Sequence, residues 1–331
     1  LASERRPQAL EEAVVVITGA SSGIGRAAAL RFARRGSSLA LCGRSLPPLE
    51  DVARECEAIG ATVLPRALNV ADEPAVEAFA AETVDRFGRI DVWVNNAGVI
   101  AYGEFLEIPS EVFRQVIETN LMGQVHGARA ALRRFDRQRS GVLINLSSVW
   151  GRVSSPQVTP YIVSKNAVRA FSECLRGELA GKDGVYITTL VPEAVDTPIF
   201  DHAANYSGHR IRPIPPVISP EEVAEGIEAC AEDPKEEVNY GRAGRVLEIL
   251  YALAPGIYRR LAHGAFVRGT LSPRLIAPSS GNVLTSNGPH TIEGFWRRRR
   301  GATLRRAMAA ALAGSALGQP RSGGERQGVP G

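Results

Sequence analysis

The sequence predicts an α/β fold, a doubly wound parallel sheet with helices on both faces, followed by a C-terminal extension that is part helical and part disordered. Two observations carry this. Short β-branched runs alternate with helical patterns of roughly ten or more residues, the signature of right-handed βαβ crossovers. The conspicuous glycine-rich and polar motifs each stand just after a strand, at the carboxyl end where such sheets bind ligands.

The first strand, Ala13–Thr18 (A-V-V-V-I-T), reads as buried on both faces. It runs into Thr18-Gly19-Ala20-Ser21-Ser22-Gly23-Ile24-Gly25 and then a helix from about Ile24 to Arg35, stopped by Gly36. Strand, glycine-rich turn and helix are the setting of a phosphate-cradling loop. Glycine lets backbone approach a pyrophosphate, and the helix N-terminus offers unpaired N–H groups. Ser38–Cys42 is the second strand, Pro48–Ile59 a helix and Ala61–Ala67 the third strand. Asp72 caps a helix running to about Phe87, and Ile90–Val94 is the fourth strand. One long helix is expected from Ser110 to Arg137, then a fifth strand at Val142–Leu146. The next helix reaches Leu179, and Val185–Val191 is the sixth strand. Asp196–Pro220 holds five prolines and reads as a long loop with one short helix, placed to cover the crevice. A helix over Pro220–Ala231 brings the sheet domain to its end near Gly244.

Residues 1–12 therefore form an N-terminal arm, 13–244 the sheet domain, 245–318 a basic amphipathic extension and 319–331 a disordered tail. Within the extension, Val246, Ile249, Leu250, Leu253, Ile257 and Leu261 recur at helical spacing beside Arg259 and Arg260, with Pro255-Gly256 interrupting. Such a face either packs back on the body or lies on a bilayer surface. A short helix is expected at Ala302–Leu317. From residue 259 onward there are twelve arginines, no lysine and two acids, a balance of +10, against −6 for the rest of the chain. A basic tail on an acidic body points to an anionic partner. The arginines lack an aromatic platform beyond Phe295 and Trp296, which disfavours nucleic acid against a membrane. The four cysteines are scattered, with no disulfide or zinc spacing, and no histidine cluster suggests a metal. A reducing, cytoplasmic setting with peripheral membrane association is expected. No apolar run is long enough for a transmembrane helix.

The chemistry gathers between Ser147 and Lys165. Tyr161 and Lys165 stand at i and i+4, one turn apart on one helical face. A tyrosine phenol titrates near about 10, and a neighbouring ammonium pulls that value towards working pH. A serine reaching the same place, Ser148, can hydrogen-bond a carbonyl oxygen. A lone Y-x-x-x-K is weak evidence, because many helices carry one by chance.

Taken together the motifs are far more specific. T-G-A-S-S-G-I-G (18–25), N-N-A-G (95–98), Asn120, Ser148, Y-I-V-S-K (161–165) and V-D-T-P (195–198) occur in order, and over Ala13–Gly244 the chain resembles the short-chain dehydrogenase/reductase family. The resemblance implies a Rossmann-type fold and an oxidoreductase passing hydride between a nicotinamide cofactor and a carbonyl/alcohol pair. It makes Tyr161 the general acid/base, with Lys165 lowering its pKa and binding ribose. Ser148, thirteen residues before the tyrosine, polarises the carbonyl, while Ser147 is a decoy. Asn120 supports a proton relay. Gly19, Ser21, Ser22, Gly23, Ile24, Gly25, Arg44, Asn69, Val70, Asn96, Ala97, Gly98, Tyr161, Lys165, Pro192 and Thr197 are expected at the cofactor, with Asn95 bracing the fourth strand. Assembly as a homodimer or homotetramer is implied as well. After the second strand the chain reads Leu41-Cys42-Gly43-Arg44-Ser45, with no acid for a ribose hydroxyl and an arginine suited to a 2′-phosphate, so NADP(H) is expected over NAD(H). Two departures stand out: Asn69 where the family has Asp, and Pro192-Glu193 where it has Pro-Gly. The expected substrate is apolar, steroid-, retinoid- or lipid-like. The alternative is a non-catalytic dinucleotide-binding sensor or scaffold with a membrane- or nucleic-acid-binding tail.

Overall fold

The computed structural model describes residues 7–241 and 243–297. The expected helix Ala302–Leu317 and the tail Gln319–Gly331 lie outside the described residues. Seven strands form the central sheet: β1 Val14–Thr18, β2 Ser38–Gly43, β3 Val63–Ala67, β4 Val92–Asn95, β5 Gly141–Leu146, β6 Val185–Pro192 and β7 Glu237–Tyr240. Their order is β7-β6-β5-β4-β1-β2-β3, and every pairing is parallel. The chain reverses direction across the sheet between β1 and β4. That is the switch point where the loops leaving two adjacent strands part and open a crevice.

Successive residues of β1 serve opposite layers, as a strand's period of two requires. Val15 and Ile17 pack with α1 (Gly23–Arg34), α2 (Leu46–Glu57) and α7 (Pro220–Glu232) on one face. Val16 packs with α3 (Glu73–Phe87) and α5 (Gly123–Gln138) on the other. Glu228 of α7 is buried and held by Arg31 of α1 and by Arg35 just after it, which joins the two helices through a paired charge. Pro65 is tolerated inside β3 because β3 is an edge strand.

Three expectations need correction. The sheet has a seventh strand, β7, which the sequence reading missed. It is a four-residue edge strand, E-V-N-Y, whose polar alternation carries little hydrophobic signal. The long helix after β4 is not continuous α-helix: α4 (Ser110–Ile117) passes through a π-helical turn at Glu118–Met122 before α5. The proline-rich stretch after β6 is also more than a loop with one helical turn. Pro198–Phe200 is the expected short helix, but Ala204–Asn205 pairs with Ala101–Tyr102, and Val217–Ile218 pairs with Ala194–Val195.

The compact unit continues past Gly244 and runs to Gly294. Helices α8 (Ala243–Leu253) and α9 (Pro255–Thr270) meet at Pro255, which opens the second helix where a missing N–H costs nothing. A strand at Leu271–Leu275 then pairs antiparallel with His209–Ile211. The following segment, 276–294, crosses the carboxyl end of the sheet.

Candidate active site

One crevice at the carboxyl ends of the central strands gathers nearly all the expected residues. Gly19, Ser21, Ser22, Gly23, Ile24, Arg44, Asn69, Val70, Asn96, Ala97, Gly98, Ser148, Tyr161, Lys165, Pro192 and Thr197 all line it. Gly25 and Asn120 do not. Gly25 lies under the loop, where a Cβ would come within 2.3 Å of the Gly19 carbonyl oxygen and 2.6 Å of the Asn96 amide nitrogen. Gly19 has φ +66° and a Cβ there would approach the Ala97 Cα to 2.8 Å. Only glycines let this turn fold so tightly against the β4 end.

Thr18, which the motif reading passed over, ties the two loops together. Its hydroxyl accepts the N–H groups of Asn96 and Ala97, both at 3.0 Å. Asn96 donates its side-chain amide to the Thr18 and Gly19 carbonyls at 2.8 and 3.0 Å, so it braces the glycine-rich loop from below. Asn95 does the same for the layer beneath. It accepts from the Trp93 indole at 2.9 Å and donates to Asn145 at 2.9 Å, and Asn145 donates to Ser172. A buried amide chain with every member partnered holds β4, β5 and the helix behind them in one register. Asn69, in place of an acid, accepts from the Ala71 N–H at 3.1 Å and forms the turn that shapes the rim.

Tyr161 and Lys165 rise from the first turns of α6 (Thr159–Glu178). Lys165 is buried and its Nζ donates to the Leu146 carbonyl at 2.8 Å. It lies 5.6 Å from the centre of the Tyr161 ring. Burial pulls the lysine down to about 8 and pushes the Tyr161 phenol up to about 12, opposed in part by a hydrogen bond with Ser148. The sequence argument expected Lys165 to lower the tyrosine. Here burial sets the direction, opposed only by the hydrogen bond with Ser148, and the ammonium is engaged with a carbonyl. The Ser148 hydroxyl oxygen also accepts from the Trp150 N–H at 3.3 Å. Ser147 instead donates to the Lys165 carbonyl at 2.9 Å and anchors α6.

Asn120 stands in the π turn, fully buried. Its amide oxygen accepts from the Val99 N–H at 2.8 Å, and its amide nitrogen donates to the Val99 carbonyl at 2.9 Å and to Ser164 at 3.0 Å. The extra residue per turn is what brings this side chain to the loop after β4. Gly98 sits between: a Cβ there would be 3.4 Å from the Asn120 oxygen and 3.7 Å from Lys165 Nζ.

Glu193 explains one departure from the family pattern. It lines the crevice, but its carboxylate accepts the Gly244 N–H at 2.5 Å, in the first turn of α8. Carboxylates favour that end of a helix dipole. The route passes Gly241, at φ +118°, where a Cβ would meet Glu193 at 2.0 Å. Glutamate here fastens the C-terminal helices to the body.

The crevice suits a dinucleotide on its own evidence. A glycine cradle that a single Cβ would fill stands at the opening of α1, in a crevice also lined by a guanidinium (Arg44), a buried ammonium and a half-buried phenol. Beyond Tyr161 the wall is apolar, with Ile100, Trp150, Ile199, Phe200, Ile214 and Leu247.

Comparison with known proteins agrees. Residues 13–206 match the family described as short chain dehydrogenase. The chain is 33% identical to an uncharacterized oxidoreductase, YxnA, of Bacillus subtilis over 76% of its own length and 72% of the relative's. It is 34% identical to dehydrogenase/reductase SDR family member 7B of Bos taurus, over 76% of this chain and 81% of that one. Among solved structures, an alcohol dehydrogenase from the archaeon Thermococcus sibiricus, complexed with 5-hydroxy-NADP, superposes with a TM-score of 0.60 at 32% identity, covering 70% of this chain and 98% of the other. Fold, motif order and these likenesses agree, and the chain belongs to the short-chain dehydrogenase/reductase family of nicotinamide-dependent oxidoreductases.

Proposed function

We propose that this oxidoreductase uses NADP(H) to interconvert an apolar carbonyl compound and its secondary alcohol. The observation that carries the proposal is the meeting of Ser148, Tyr161 and Lys165 in the crevice that also holds the glycine-rich loop and Arg44. The nicotinamide ring, when bound, supplies or accepts the hydride. The chain does the rest. Ser148 holds the carbonyl oxygen. Tyr161, kept neutral by burial at about 12, is in the form that donates a proton to that oxygen in reduction. Lys165 supplies positive charge behind the phenol as the proton leaves. Asn120 acts through its bonds to Val99 and Ser164 and positions the loop and helix that carry the reacting groups.

Arg44 supports NADP(H). It is half-buried at the crevice rim, burial lowers its pKa, and among the described residues no carboxylate pairs with it. A desolvated guanidinium without an acid favours an anionic ligand. Fluorescence titration tests this directly. NADPH is expected to bind at least about tenfold more tightly than NADH, a gap of about 1.4 kcal/mol. Arg44→Ala is expected to erase most of that gap while leaving NADH affinity unchanged. NADH binding as tightly as NADPH to the wild type would sink the assignment.

The apolar wall beyond Tyr161 supports a lipid-like or similarly apolar substrate. The C-terminal helices support delivery from a membrane surface. Val246, Ile249 and Leu253 of α8 and Ile257 and Leu261 of α9 are each more than half exposed, Arg259 and Arg260 stand among them, and Leu247 of α8 lines the crevice. No helix among the described residues is long and apolar enough to cross a membrane. Co-sedimentation with phosphatidylserine vesicles is expected, and a Leu253→Glu/Ile257→Glu double variant should lose it several-fold with NADPH binding intact. Equal sedimentation with neutral and anionic vesicles, or none, would refute the surface reading.

A further inference from the structure

The segment from Ser279 to Gly294 is a strap over the dinucleotide crevice, and its fastenings are specific. Ser279 and Asn205 exchange backbone hydrogen bonds at 2.7 and 3.0 Å. The Asn282 N–H donates to the His202 carbonyl at 2.8 Å, and the Gly294 N–H to the Asp196 carbonyl at 3.0 Å. Between those anchors the strap meets the residues a cofactor's phosphates would meet. The Val283 carbonyl accepts from Arg44 at 3.3 Å and the His290 carbonyl accepts from Arg26 at 2.5 Å. The Thr291 carbonyl accepts the Gly23 N–H of the glycine-rich loop at 3.0 Å. Gly288, at φ +83°, lets the strap turn over His202, where a Cβ would come within 2.3 Å of the ring nitrogen.

These contacts bring His290 into the crevice with Arg44. The charges around the imidazole come from every packed element. They are Arg26 of α1, Arg44 after β2, Asp51 of α2 and His202, just before the Ala204–Asn205 pairing. Arg26 is itself paired with Glu55. Burial and then the two arginines depress the imidazole's pKa, opposed in part by Asp51. Among the described residues His290 Nδ1 is buried without a hydrogen bond, and Arg44 makes one long bond, to a carbonyl. Both groups line the one crevice, and among the described residues neither is paired with a carboxylate. Buried polar groups left that way cost free energy, and an anion would satisfy both at once.

We infer that His290, carried in by the strap, joins Arg44 as the seat for the phosphate on the cofactor's adenosine ribose, so that the C-terminal segment helps set the choice of NADP(H) over NAD(H). This rests on the NADP(H) reading above. It adds a residue from outside the part of the chain that matches the family, which ends at 206.

The test is a binding experiment on the full chain, independent of turnover. NADPH, NADH, 2′,5′-ADP and 5′-ADP are titrated into the wild type, His290→Gln and His290→Lys. The backbone bond to Arg26 does not depend on the side chain, so both variants should melt within a few degrees of the wild type. His290→Gln is expected to weaken NADPH and 2′,5′-ADP about tenfold and to leave NADH and 5′-ADP within about twofold. His290→Lys, which puts a donor and a positive charge at the same place, is expected to recover most of the NADPH affinity. Equal loss for NADPH and NADH would reduce His290 to a structural support, and no loss for either would remove it from the site; both overturn the inference. The failure of the parent reading looks different: the wild type itself would then show no preference for the 2′-phosphorylated ligands.

Discussion

Replacing Tyr161 with Phe is expected to lower carbonyl reduction by about 10²–10⁴-fold, the usual contribution of a positioned general acid, while NADPH affinity stays within twofold. The ring keeps its place in the variant. It stands edge-on to Trp150, with ring centres 5.9 Å apart, and that contact involves no hydroxyl. What is lost is one proton donor and one hydrogen bond with Ser148, whose oxygen still accepts from the Trp150 N–H. The structural cost is about 1 kcal/mol, a shift of a few degrees in melting temperature. The measurement is NADPH consumption with a panel of apolar ketones, alongside a fluorescence titration of the same preparation. Turnover within tenfold of the wild type, with tight NADPH binding, would remove Tyr161 from the chemistry.

Lys165→Met should separate function from stability even more sharply, because the two change in opposite directions. Activity is expected to fall by at least about 10²-fold, since a buried phenol at about 12 would be left without a cation behind it. Stability at pH 7 is expected to rise. The ammonium titrates near 8 in the fold against a reference of 10.5, so folding at neutral pH bears the cost of burying its charge. That cost has a ceiling of about 3 kcal/mol, at 1.36 kcal/mol per unit, and the lost bond to Leu146 subtracts about 1 kcal/mol. The Leu146 carbonyl is not orphaned, because Gln124 also donates to it at 2.9 Å.

The sign with pH follows from proton counts. Between about 8 and 10.5 the unfolded chain holds the lysine proton that the folded one has released, so wild-type stability climbs with pH across that window. Tyr161 opposes this above about 10, where the unfolded phenol ionises first and the folded one stays neutral to about 12. Urea denaturation at pH 7 and pH 9 is the check. The variant's advantage at pH 7 should shrink at pH 9. A variant less stable than the wild type at pH 7 would mean that Lys165 is a structural contact and that its burial is compensated.

Much of this was readable in the chain because the relevant physics is local. The β-branched runs, the glycine turn and the i, i+4 pair depend on residues a few positions apart, so six of the sheet's strands and the helix carrying Tyr161 and Lys165 were legible before any fold. Arg44 was found by the same logic, as the residue type that stands directly after a strand. The roles of the asparagines were only half legible. Asn120 reads as a helix-interior amide until the π turn places it against Val99, and that turn is set by a partner twenty-one residues away. Thr18 looked like the end of a strand, yet its hydroxyl receives two N–H groups from the loop after β4.

The sequence by itself determined the fold class, the motif order and the residue types that meet at the carboxyl edge of the sheet. Tertiary structure decided how those groups titrate, because burial is a property of the whole packing and here it raises the tyrosine and lowers the lysine. It also decided that Glu193 turns into the first turn of α8, through space that only Gly241 leaves open. Above all it brought His290 to Arg44 across some 240 residues, through a strap with no periodicity of its own. Long-range contacts of that kind leave no local pattern to read, since backbone carbonyls, which every residue carries, make most of the bonds that hold it.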